Sequence, residues 1–200
     1  MNQSTIEQLL SSLPRNKTIE SAVSGLFFYC ADKPSKAVSY IQEPSICIVL
    51  QGAREIYLGA DCQRFDKSNL MFCPVNIPLS MHIRHATVDR PVIVLSMKLN
   101  LVMIGEVLAK IPPKLPNTAG HLGIKWQLDS TIMAAFERLI HLLDYPNDIG
   151  FLAPLIQQEI YYRLLIAEQG NKLRQLVVNG SHTHRISKAT DWIKTHLNEA

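Results

Sequence analysis

Hydrophobic positions change their period twice along this chain. Near the start, Ile6, Leu9, Leu10 and Leu13 recur at three- and four-residue spacing, which predicts a short amphipathic helix stopped by Pro14. From about residue 25 to residue 98 the runs become short, apolar or alternating, and are broken by turn residues. They predict strands over 26–30, 37–41, 46–51, 54–58, 63–66, 70–73, 79–85 and 91–98. The connections are too brief for helical crossovers, so the pairing must be antiparallel. Such strands must hide their edges, and a small barrel or a two-sheet jelly roll does so. Alternation places Ile46, Ile48, Leu50, Ile56, Leu58, Met81, Ile83, Leu95 and Met97 on the inward face.

Beyond Asn100 the helical period returns. Leu101, Met103, Ile104, Val107, Leu108 and Ile111 predict one helix, ended by Pro112-Pro113 and followed by a Pro/Gly-rich loop to about residue 123. Asp129 reads as the N-cap of a second helix carrying Ile132, Met133, Phe136, Leu139, Ile140 and Leu143. A third is expected from Pro154 to about Gly170, with a short turn over 172–178. A last stripe, Ile186, Ala189, Trp192 or Ile193, and Leu197, predicts an amphipathic helix that needs partners to bury its face. The fold class is therefore α+β: an antiparallel barrel or jelly roll followed by a small helical block.

Charge adds one asymmetry. The chain carries 20 Lys/Arg against 17 Asp/Glu, and residues 171–200 hold five of the former and two of the latter. The first 170 residues are therefore neutral and the whole excess of three lies at the C-terminal end, where a polyanion would be met. Cys30, Cys47, Cys62 and Cys73 form no CxxC, which argues against a zinc ribbon or a thioredoxin-like site. The absence of a signal-peptide pattern and of a long apolar run leads to the expectation of a cytoplasmic protein with no membrane partner.

Catalytic chemistry is hard to find. An antiparallel barrel invites a cupin metal centre, but His82 and His85 sit three apart on one expected strand and would point to opposite faces. His182 and His184 have His-x-His spacing, yet lie in an expected loop without a nearby Cys or Glu. No nucleophile elbow, P-loop, dinucleotide fingerprint or HExxH occurs. Hence no catalytic residue, metal ligand or cofactor is assigned, and the protein is not expected to be an enzyme. A small molecule held inside the barrel is the better reading, with Met81, Ile83, Leu95 and Met97 as its candidate lining. The rivals are a small metal-dependent cupin enzyme and a constitutive dimerising scaffold with a solid barrel.

Several segments then become familiar. Residues 43–52 (EPSICIVLQG), 56–59 (IYLG), 73–78 (CPVNIP) and 90–97 (RPVIVLSM) resemble the N-terminal domain of one branch of the AraC-family transcription regulators. Residues 152–165 (LAPLIQQEIYYRLL) are the most specific match, and 185–194 (RISKATDWIK) is similar to the helix that opens that family's DNA-binding domain. The resemblance implies a cupin-like effector-sensing barrel within residues 1–99, a helical dimerisation block over 100–180, and over 181–200 the first helix of a helix-turn-helix domain. It implies a homodimer responding to a small-molecule effector. The recognition helices would follow Ala200, so DNA would be met only through them and no DNA-binding residue is assigned here.

Overall fold

The computed structural model describes residues 3–112, 124–167, 170–171 and 173–175. The expected loop to 123, the turn over 172–178, His182, His184 and the stripe from Ile186 to Leu197 fall wholly or mainly outside them. In chain order the elements are α1 (Gln3–Ser12), β1 (Thr18–Glu20), β2 (Leu26–Ala31), β3 (Val38–Gln42), β4 (Ser45–Gln51) and β5 (Ala53–Leu58). There follow β6 (Asp61–Asp66), β7 (Asn69–Cys73), β8 (Ile77–His82), β9 (Val92–Lys98) and α2 (Leu101–Ala109). The chain continues through β10 (Lys125–Gln127), α3 (Ser130–His141), a 3-10 turn (Leu142–Asp144) and α4 (Pro146–Ile166).

All pairing is antiparallel, in two sheets of order β1-β2-β9-β4-β7-β10 and β3-β8-β5-β6. No ladder joins the two among the described residues, so they do not close into a barrel. Of the two expected closures, the two-sheet arrangement is the one observed. The chain passes from β4 in one sheet to β5 in the other at Gly52, whose φ of 79° suits a residue without Cβ. A Cβ there would stand 2.8 Å from Cγ2 of Val92.

The large sheet is the middle of three layers. One apolar cluster lies between the sheets and draws Cys47, Val49, Met71 and Val94 from the large sheet and Ile56, Phe65 and Leu79 from the small one. A second cluster lies on the other face of the large sheet. There Leu26, Phe28, Ile46, Ile48, Leu70, Leu95 and Met97 meet Leu9 of α1, Ile104 of α2, Phe136 and Leu139 of α3, and Ile160 and Leu164 of α4. Both faces of β4, β7 and β9 are therefore buried, and these strands read as near-continuous apolar runs. This corrects the inward set: Ile46, Ile48, Leu50, Leu95 and Met97 face the helices, whereas Ile56, Leu58, Met81 and Ile83 belong to the inter-sheet side. Alternation cannot choose a face when both faces are apolar.

Helices α2, α3 and α4 begin where their sequence supplies a start. Asn100 Oδ1 accepts from the Met103 amide at 3.1 Å to open α2, and Asp129 Oδ1 accepts from the Thr131 amide at 2.6 Å to open α3. The third helix differs from expectation. It begins at Pro146 rather than near Pro154, because proline suits a first turn, where its missing N–H costs nothing. Pro154 instead lies inside α4, where its missing N–H forgoes one hydrogen bond. The segment between α2 and α3 also supplies β10, which pairs with β7 and sets Trp126 against Phe72 at 4.5 Å between ring centroids. Helices and large sheet share one core.

Candidate functional site

The inter-sheet layer is not solid. At its β2/β9/β3 end the sheets part around a cavity of about 470 Å³. Its floor is a row of cross-strand neighbours on the large sheet: Phe27 opposite Ser96, Ser96 opposite Cys47, and Tyr29 opposite Val94. Its roof comes from the small sheet, with Val38 and Tyr40 of β3, Met81 of β8 and Arg54 of β5. Strand alternation fixes these choices. The cavity face of β9 carries Val94, Ser96 and Lys98, while Ile93, Leu95 and Met97 point to the helices. At the mouth, Lys98 Nζ stands 2.7 Å from Glu43 Oε2 and 5.3 Å from the centre of the Phe27 ring.

Most polar groups in the lining are satisfied within the protein. Gln42 Nε2 donates to Ser45 Oγ at 2.8 Å, Ser45 Oγ donates to the Glu43 carbonyl at 2.7 Å, and Cys47 Sγ donates to Ser96 Oγ at 3.3 Å. Arg54 is the exception. It is only 5% exposed, its Nε and Nη2 have no hydrogen-bond partner, and its Nη1 meets the Met81 thioether at 3.7 Å. Burial pushes the neighbouring Tyr40 phenol up, and the Arg54 charge offsets part of that rise.

The four residues singled out from sequence are not brought together. Met81 lines the cavity, and Ile83 is fully buried in the inter-sheet cluster without reaching the lining. Leu95 and Met97 lie across the sheet among the helices and cannot touch a molecule in the cavity. What sequence reasoning missed is Arg54, together with Tyr40 and Ser96. One signal was present: Arg54 stands in register with Ile56 and Leu58, two positions already assigned inward, and a charge in an inward register asks for an explanation.

The histidines are also separated. His82, at the end of β8, has Nδ1 3.6 Å from Glu55 Oε2, while His85 is exposed beyond the strand, which ends three residues earlier than expected. Among the described residues no three His, Cys, Asp or Glu side chains are grouped to share a metal ion. Cys30, Cys47 and Cys73 are buried and Cys62 is exposed. Burial first, and then the neighbouring Cys47, push the Cys73 thiol up to about 12, so it stays protonated and inert. No helix among the described residues is long and apolar enough to cross a membrane.

Comparison with known proteins bears on the fold and the family. Two solved structures of ToxT from Vibrio cholerae strain SCE256 share the fold. The apo form of a variant gives a TM-score of 0.50 at 8% identity, over 73% of this chain and 58% of that one. The wild-type protein with unsaturated fatty acid bound gives 0.50 at 10% identity, over 76% and 58%. The present chain thus corresponds to little more than half the length of ToxT. No curated protein matches its sequence. The family model for the N-terminus of AraC-type transcriptional regulators matches residues 22–172, three-quarters of the chain, and the chain belongs to that family.

Proposed function

We propose that this domain senses a small, largely apolar effector in the inter-sheet cavity and reports it to a DNA-binding region, so that transcription responds to the ligand. The observation that carries the reading is the position of β9. One of its faces lines the cavity through Val94, Ser96 and Lys98, and the other is packed against the helices. Membership of the AraC-type family supports the regulatory part, and the cavity's size, within the range of small-molecule sites, supports the sensing part. The fatty acid held by ToxT is a ligand of comparable apolar character. A metal-dependent enzyme has neither a family match nor a grouped ligand set among the described residues in its favour.

The same reading divides the chain into a sensing part (1–99), a dimerisation part (100–180) and the opening of a DNA-binding domain (181–200), working in the cytoplasm as a homodimer. The pairing surface we assign is α4. There Phe151, Leu155, Tyr162 and Ile166 follow at spacings of four, seven and four, which is one stripe of a helix, and all are exposed, Phe151 by 75%. Leu139, by contrast, is spent on the domain's own core.

Two measurements test this. Small apolar molecules are screened for a rise in melting temperature, against the protein and its Ser96→Phe variant, whose new ring fills the cavity. The expected result is stabilisation of the first and not the second; equal stabilisation of both places the site elsewhere. Light scattering on Phe151→Glu and Leu155→Glu should show monomers where the parent is a dimer, and an unchanged mass rejects the α4 surface.

A further inference from the structure

We infer that Arg54 is the headgroup residue of this cavity, and that the effector is an apolar molecule bearing one carboxylate. The inference rests on the cavity being the effector site. A guanidinium sunk in an apolar wall is costly unless its donors are used. Arg54 is buried, on a strand whose other inward residues, Ile56 and Leu58, are aliphatic. Its Nη1 meets a thioether, a weak acceptor, and the polar side chain beside it is the uncharged Tyr40 phenol, which brings no countercharge. Among the described residues no carboxylate lies within ion-pair distance of it. The adjacent Glu55 belongs to the opposite face of the strand and is taken by Arg84, at 2.5 Å, and by Tyr57.

The pattern of unused donors is specific. Nε and Nη2, the two atoms without a partner, form one edge of the guanidinium, the edge that presents two parallel N–H groups to the two oxygens of a carboxylate. The balance of charge points the same way. The other charged side chains of the lining, Lys98 and Glu43, neutralise each other at the mouth, which leaves a single positive charge at Arg54. One charge and one two-donor edge match one carboxylate. A phosphate monoester would bring a second negative charge and a third oxygen for which this lining holds no free cation. Phe27, Val94 and Met81 then offer the apolar body a surface.

The test is a headgroup series on the 200-residue chain, with decanoate, 1-decanol and decylamine followed by calorimetry. Decanoate is expected to bind at least tenfold more tightly than 1-decanol, and decylamine more weakly than either. Arg54→Met, which keeps bulk and removes the charge, should lower decanoate affinity tenfold or more. The same variant should leave 1-decanol within twofold and raise, or at least preserve, the melting temperature. Arg54→Lys, a charge without the two-donor edge, should fall between. Equal binding of acid and alcohol, or an undiminished preference in Arg54→Met, overturns the assignment while leaving the cavity as a site for neutral ligands. Failure of all three probes to bind overturns both. The series on the unaltered protein needs no variant, so a folding defect in Arg54→Met leaves the outcome decided.

Discussion

Tyr161→Phe is the most informative single perturbation outside the cavity. Tyr161 of α4 is almost fully buried, and its hydroxyl does two things at once. It donates to the Lys98 carbonyl at 3.1 Å and accepts from the Asn100 amide at 3.1 Å, clasping the junction where β9 ends and α2 begins. Phenylalanine keeps the ring and its packing, so no cavity term arises and the loss is that of two hydrogen bonds. At about 1 kcal/mol net each the sum is about 2 kcal/mol, and the exposure of the Lys98 and Asn100 side chains lets water recover part of it, which leaves about 1.5 kcal/mol. Urea unfolding at neutral pH measures this as a lower midpoint at unchanged slope. Alkaline pH gives a second check. Burial pushes the Tyr161 phenol up, against a smaller opposing effect of the Asn100 amide, so the unfolded chain releases this proton first. The folded state then binds more protons, and its stability, complete below about pH 10, falls as pH rises toward the folded value. Tyr29 and Tyr40 are shifted the same way and steepen the fall in both proteins, so the difference between parent and variant isolates Tyr161. A midpoint within 0.5 kcal/mol of the parent, a threshold set by the spread of ordinary surface substitutions, together with an identical alkaline limb would refute the clasp.

Three further outcomes follow from the same structure. Leu95→Ala should lose about 3 kcal/mol in urea unfolding without touching the cavity, whereas Ser96→Leu, one residue on, should change stability by less than about 1 kcal/mol and weaken effector binding tenfold; the reverse pattern would mean that the faces of β9 are misassigned. Gly52→Ala, with φ at 79° and Val92 in the way of the new methyl group, should cost about 2 kcal/mol, read as a lowered melting temperature, and an unchanged melt would show that the crossover between sheets is free to relax. Under native conditions a thiol reagent should modify Cys62 quickly and Cys30 and Cys73 only at the rate of unfolding, with mass spectrometry of the digest as the readout; early labelling of Cys73 would contradict its burial.

The elements themselves were legible because their periods were clean. Eight expected strands have counterparts, and the helices that open at Asn100 and Asp129 do so by the caps their sequence offers. The three-residue edge strands β1 and β10 were not, since three residues carry no period and owe their strand conformation to neighbours far away in sequence. Pro146 and Pro154 show a different limit. Proline suits a first turn at either position, and the packing of Ala153, Ile160 and Leu164 against the large sheet carries the helix that begins at the first through the second. The candidate site suffered most. A strand with two apolar faces gives no hint of which side meets a cavity; the sequence points to Leu95 and Met97, whereas the residues of β9 on the cavity face are Val94, Ser96 and Lys98.

That ambiguity is a consequence of how the sensor we propose has to be built. Were the large sheet solvated behind the cavity, a ligand pressing on Val94 and Ser96 would be opposed only by water. Here the opposite face of the same strand is close-packed against α2, α3 and α4, and interiors packed to that density transmit displacement rather than absorb it. Lys98 concentrates the link: its side chain forms the ion pair at the mouth, and its carbonyl is the acceptor for Tyr161 of α4. A ligand that draws Lys98 away from Glu43, or closes the mouth over itself, would therefore act on the residue that anchors the helix we assign to pairing. Its leverage is bounded by the difference in its affinity for the two arrangements of that junction, which for coupled sites is about 1–3 kcal/mol. Tyr161→Phe loosens the anchor without entering the cavity, so it should leave effector affinity nearly unchanged while reducing the effect of the ligand on dimerisation. If ligand-dependent pairing survives the variant intact, the message does not pass through the end of β9.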